Sequence, residues 1–167
     1  MTILIGNLIA LIGASLMVGI GFIKSKKKIL GAQCVQFGVQ SLSNLVLGGY
    51  SGFISNVIGL LRNLVCLRRE FTWPWKLAFM FIQAFLSIYT NHVGWLGYLP
   101  LLATCTFTLV MDTKNDVLLK SVITIGLIFW LIYDLAFHNY VAAVFDVLAT
   151  LSNLVGIVRI LRDGRKA

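Results

Sequence analysis

Apolar positions run almost without interruption through seven stretches of this chain, at roughly 2–22, 29–48, 50–67, 76–90, 93–111, 117–137 and 140–161. Most approach the roughly 20 residues that cross a bilayer core as a helix. Runs this continuous are not barrel strands, which would alternate apolar and polar positions over about 10 residues. The pattern predicts an all-α integral membrane protein with seven transmembrane helices, the fourth being the shortest. Composition agrees: with 59% hydrophobic residues, 12% charged residues and a mean hydropathy of +0.91, too little polar surface remains to cover a water-soluble globule.

The formal net charge of +8 does not point to nucleic acid, because the basic residues flank apolar segments instead of forming a patch on a polar face. Lys24, Lys26, Lys27 and Lys28 follow the first segment; Arg68, Arg69 and Lys76 surround the connection from the third to the fourth. Lys114 and Lys120 flank the start of the sixth, and Arg159, Arg162, Arg165 and Lys166 close the chain. The alternate connections, Gly48-Gly49, Thr90-Asn91-His92 and His138-Asn139, carry no Lys or Arg. By the positive-inside rule the N-terminus lies outside and the C-terminus in the cytoplasm. The first segment lacks a basic leader and a small-residue cleavage site, so it reads as a retained span. Cys34, Cys66 and Cys105 sit singly in three helices, with no spacing that suggests a metal or redox pair.

A shift of ninety residues lays part of the chain on itself. Tyr50, Val57, Leu61, Asn63, Leu64, Val65 and Arg69 fall on Tyr140, Val147, Leu151, Asn153, Leu154, Val155 and Arg159, while Asn56 meets Asp146 and Asn44 meets Asp134. Duplicating three crossings leaves the second copy upside down unless one further helix intervenes. Three plus one plus three is the expected organisation: a first repeat over 1–69, a linker with an inverting fourth helix over 70–91, and a second repeat with a short basic tail over 92–167. The two repeats are parallel, related by an axis along the membrane normal.

That arrangement resembles the SWEET sugar facilitators and the PnuC-type vitamin transporters. The stretch from Tyr50 to Arg69, with Leu60-Leu61-Arg62-Asn63-Leu64-Val65, and its match Asn153-Leu154-Val155-Gly156-Ile157-Val158-Arg159, looks like the YgjV-type bacterial inner-membrane protein family. The SWEET resemblance implies an Asn on the third helix of each repeat facing the solute, here Asn63 and Asn153. It also implies proline hinges, which this chain does not reproduce: Pro74 falls in a loop and Pro100 in the fifth helix.

The candidate chemistry is polar and charged residues inside apolar helices. Asn56 and Asn63, and Asp146 and Asn153, are each seven residues apart and so share a helix face. Gln33, Gln36, Gln40 and Asn44 run along one stripe of the second helix, and the sixth answers them with Gly126, Trp130, Tyr133 and Asp134. Amides in hydrocarbon must find partners or water, so the set describes either a solvated cavity or bonds that fasten helices together. Amides facing an aromatic wall suit a sugar or heterocyclic ring. Intramembrane charge costs about 2.5–3.5 kcal/mol at a helix centre, which singles out Arg62, Asp134 and Asp146. Arg62 is near enough to the cytoplasmic end to snorkel, Asp134 is near enough to the outer boundary to be hydrated, and Asp146 is deep enough to be protonated, bonded to Asn56 or a cation site.

No metal cluster, nucleophile motif or phosphate loop is present, and no enzyme, cofactor or metal is expected. The reading is a bacterial inner-membrane transporter for a small polar solute, a sugar, nucleoside or vitamin-like molecule. Asn63, Asn153, Asn56, Asp146, Trp130, Gln40 and Asn44 bind the solute, and Asp146 with Asp134 gives a proton-coupled variant. The alternative is a non-transport scaffold, receptor or assembly factor. A water-accessible groove reaching Asn63 and Asn153 would favour transport, and full mutual pairing of the amides would favour the scaffold. A homo-oligomer is permitted but not required.

Overall fold

The computed structural model describes residues 1–20, 26–113 and 115–164; Lys24, Lys114, Arg165 and Lys166 lie outside them. Seven α-helices follow one another, and no strand occurs among the described residues: α1 (Thr2–Ile20), α2 (Lys26–Val46), α3 (Tyr50–Arg68), α4 (Trp73–Thr90), α5 (Leu99–Val110), α6 (Asp116–Ala136) and α7 (Tyr140–Gly164). Among the described residues three segments are long and apolar enough to cross a membrane, Tyr50–Arg68, Val117–Ala136 and Tyr140–Arg162.

The distribution of side chains is the reverse of that in a water-soluble protein. Among the described residues, sixteen polar or charged side chains are buried against eleven apolar ones, and the outside is studded with large hydrophobics. On α4, Lys76, Phe79, Gln83 and Ser87 point inward at helical spacing while Leu77, Phe81, Phe85 and Ile88 point outward. A surface of this kind is stable against hydrocarbon and not against water.

The two prolines mark helix starts. Pro74 lies in the first turn of α4, not in a loop, because the amide it lacks is one the helix leaves unbonded there. The fifth apolar stretch is not one helix: Gly94–Tyr98 form a 3₁₀ segment, and α5 begins at Leu99 with Pro100 in its first turn. Its twelve residues rise about 18 Å.

Helix α2 packs between α1 and α3, and α6 between α5 and α7; α1 meets α7, α3 meets α5, and α4 leans on α3 and α5 from outside. The α2–α3 and α6–α7 corners are built alike. The amide of Gly49 donates to the carbonyl of Asn44 and that of Gly48 to Leu45; ninety residues on, Asn139 donates to Asp134 and His138 to Leu135. Both are Schellman closures, whose pivot takes a left-handed conformation. Gly48 adopts φ +78° freely, whereas His138 adopts φ +58° despite its side chain.

Each corner leaves unbonded amides at the start of the next helix, and each is served by a distant side chain. The Tyr133 hydroxyl of α6 accepts from the Gly52 amide of α3 at 2.8 Å, and Asn7 Oδ1 of α1 accepts from the Val141 amide of α7 at 2.9 Å. Asn7 Nδ2 also donates to the His138 carbonyl at 2.8 Å.

Candidate functional site

Six helices, all but α4, surround a cavity of about 330 Å³, at the lower end of the range for small-molecule sites. Residues ninety positions apart stand on its wall together: Ala14 and Thr104, Met17 and Phe107, Gln33 and Ile123, Gln36 and Gly126, Phe37 and Leu127, Gln40 and Trp130, Ser55 and Phe145, Asn56 and Asp146, Gly59 and Ala149. These pairs make up most of the lining, yet their chemistry differs. The glutamines of α2 face aliphatic residues and Trp130 of α6.

Of the expected site residues, Asn56, Asp146, Trp130, Gln40, Asn153 and Asp134 reach this wall. Asn63 and Asn44 are buried but outside it. Asn63 Nδ2 donates to Gln33 Oε1 at 3.0 Å, joining α3 to α2, and Asn44 Nδ2 donates to the Gln40 carbonyl. The cavity thus meets one Asn of the expected pair and not the other. Asn56 Nδ2 is turned back to the Gly52 carbonyl at 3.0 Å.

At the end of the cavity near the two corners lies an acid pair. Asp134, on the last turn of α6, is 2% exposed; the corner folds over it, so it is not hydrated as its nearness to the boundary suggests. Its Oδ1 accepts from Asn139 Nδ2 at 3.1 Å, and Asp146 of α7 lines the same cavity. Asp146 Oδ2 has no hydrogen-bond partner.

The opposite charge sits lower on α3. Arg62 does not snorkel to the surface: it is 2% exposed, its Nη1 donates to Thr108 Oγ1 at 2.9 Å, and its guanidinium lies 5.0 Å from the Phe107 ring centre. The Thr108 hydroxyl in turn donates to the Thr104 carbonyl at 2.7 Å, which leaves its oxygen free to accept from the arginine. Arg62 Nε has no partner.

Several residues shape the site through partners that the sequence pattern does not indicate. Gln83 of α4 donates to Ser55 Oγ at 2.9 Å and fixes a wall residue from outside the ring. Lys76, which the charge pattern assigns to a connection, is buried; it bonds the Leu109 carbonyl and pairs with Asp112, tying α4 to the end of α5. Tyr133 is wholly buried behind Trp130, their rings edge to face at 5.9 Å, and it serves the corner instead of the cavity. No cluster of metal-ligating side chains occurs among the described residues.

The sequence model of the family Imp-YgjV, described as a bacterial inner membrane protein, matches residues 4–164. No curated protein and no solved structure matches the chain.

Proposed function

Because the chain belongs to the Imp-YgjV family of bacterial inner membrane proteins, we propose that it carries a small polar solute across that membrane, binding it in the cavity between two three-helix halves. The observation that carries this reading is the wall itself, built mostly of residues paired at the ninety-residue offset. A cavity lined from both halves is where alternating access by rocking of two repeats places its solute. The ring of helix contacts supports the same division: α1 on α7 is the counterpart of α3 on α5, and α4 stands apart as the inverting helix. In this reading all seven helices cross the bilayer. The basic connections face the cytoplasm, the N-terminus is outside, and the acid pair lies towards the outer face.

Asn56, Gln40 and Asn153 hydrogen-bond the solute and Trp130 gives it a flat apolar wall. Facilitated diffusion is the simpler mechanism; proton coupling uses Asp146 with Asp134. The Asn63–Gln33 bond is what a scaffold would show throughout, and it favours that second reading at this one position.

Site-directed labelling separates the two. In a background with Cys34, Cys66 and Cys105 replaced by Ala, an Ala149→Cys variant in vesicles is treated with a membrane-impermeant maleimide from each side in turn. Transport predicts labelling from both sides, because the cavity opens alternately. Labelling from neither side refutes the transport reading.

A further inference from the structure

Among the described residues Arg62 is a buried cation without a counter-ion: the ion pair there is Lys76 with Asp112, and neither acid of the cavity pairs with Arg62. The contacts of the guanidinium among the described residues are the Thr108 hydroxyl and the Phe107 ring. Neither brings a full negative charge. A charge taken out of water costs several kcal/mol unless an opposite charge and hydrogen bonds replace the water. One hydrogen bond and one ring face meet part of that need.

Arg62 is part of the cavity wall, and Nε–H is an unpartnered donor on a side chain that is 2% exposed. Thr104 holds the Thr108 hydroxyl, Thr108 holds Nη1, and Phe107 supports the plane, so the guanidinium is oriented before any ligand arrives. An oriented guanidinium edge with Nε–H available fits the two oxygens of a carboxylate side by side. The position ninety residues on is Ser152, so the cavity carries this cation on one side only.

We propose that the solute is a small organic anion whose carboxylate docks on Arg62. The far end of the cavity sets its other end. Asp146 Oδ2 is an unpartnered acceptor there, and Asn56, the counterpart of Asp146, is six residues before Arg62, about 9 Å along the helix. The solute therefore carries its anionic group at one end and a hydrogen-bond donor, a hydroxyl, amide or ammonium, at the other. The inference rests on the transport reading and narrows it to one chemical class.

The test compares carboxylates with their uncharged twins in thermal unfolding of the protein purified in neutral detergent. Acetate against acetamide probes the subsite alone; lactate against lactamide and 4-hydroxybenzoate against 4-hydroxybenzamide probe the class, all at fixed ionic strength with chloride as the balancing salt. The carboxylates raise the midpoint by about 3 °C near tenfold saturation and the amides do not. Arg62→Gln abolishes the difference and Arg62→Lys, a point charge without the fork, retains part of it. Equal shifts from acid and amide, or no shift from any carboxylate, overturn the proposal with the native protein alone, whether or not the variants fold. A shift produced by added phosphatidylglycerol but by no soluble carboxylate also overturns it, assigning Arg62 to a lipid headgroup. The two readings fail differently. If neutral sugars slow the labelling of Ala149→Cys and carboxylates do not, transport stands and this inference falls; labelling from neither side removes both.

Discussion

Replacing Tyr133 by Phe deletes one oxygen and leaves the aromatic packing, so it isolates the bond that closes the start of α3. Gly52 is the third residue of that helix, where an amide has no acceptor within the helix, and the Tyr133 hydroxyl supplies one at 2.8 Å from α6. Tyr133 is fully buried and its ring stays in contact with Phe137, 4.6 Å between centroids, after the change. A buried donor left without a partner costs about 1–3 kcal/mol. At roughly 2–4 °C per kcal/mol for a chain of this size, the midpoint of thermal unfolding in detergent falls by about 2–12 °C. Tyr89→Phe, on a side chain 77% exposed, is the control and leaves the midpoint within about 1 °C. Gly52→Ala attacks the same contact from the other side, because its Cβ would stand 2.7 Å from Tyr133 Cε1 and 2.8 Å from Asn44 Oδ1. Since both changes break one interaction, the double variant loses less than the sum of the single ones. An unchanged midpoint in Tyr133→Phe, or strict additivity in the double variant, would refute the reasoning.

The corners give a second pair of outcomes. Gly48→Ala forces a side chain into φ +78° and lowers stability by about 1–2 kcal/mol, whereas His138→Gly relieves φ +58° and leaves the unfolding midpoint unchanged or higher. Lys76→Met removes the tie to Asp112 and Leu109 but keeps the apolar stem. With Asp112 about 59% exposed the loss is modest, about 1 kcal/mol, read from the same unfolding curves. In reconstituted vesicles, Asp146→Asn abolishes any dependence of solute uptake on an imposed proton gradient while leaving downhill exchange measurable; uptake that still follows the gradient excludes this acid from coupling.

Continuous apolar runs made the helices legible, because a segment that buries no water-facing side needs no periodicity to declare itself. Their ends were less so. Pro74 punctuates a run equally well as a loop residue or a first-turn residue, because the first-turn amides of a helix are unbonded in either case. The break before α5 follows from Gly94 at φ +64° and Pro100, which are close enough together that only a 3₁₀ segment forms between them. Within the site, the seven-residue spacing places Asn56 and Asn63 on one helix face, and both are buried. The face is wider than the cavity, so Asn63 found Gln33 instead. Depth misled for Asp134, where the chain doubles back over its own helix end, and for Arg62, where Thr108 on another helix offers a partner closer than the surface. Tyr133 and Gln83 act through contacts 81 and 28 residues distant, which no local pattern encodes.

The two corner bonds from Tyr133 and Asn7 also set a clock on biogenesis. The amide of Gly52 is inserted before its acceptor exists, since Tyr133 is translated 81 residues later, and Asn7 waits 134 residues for Val141. At about 5–20 residues per second, the first wait is roughly 4–16 s and the second roughly 7–27 s. Throughout the first interval the nascent chain holds the start of α3 open, its Gly52 amide exposed to whatever acceptor a lipid headgroup or insertion factor provides. A ribosome stalled before α6 therefore displays a half-molecule whose unclosed corner is a surface for quality control to grip.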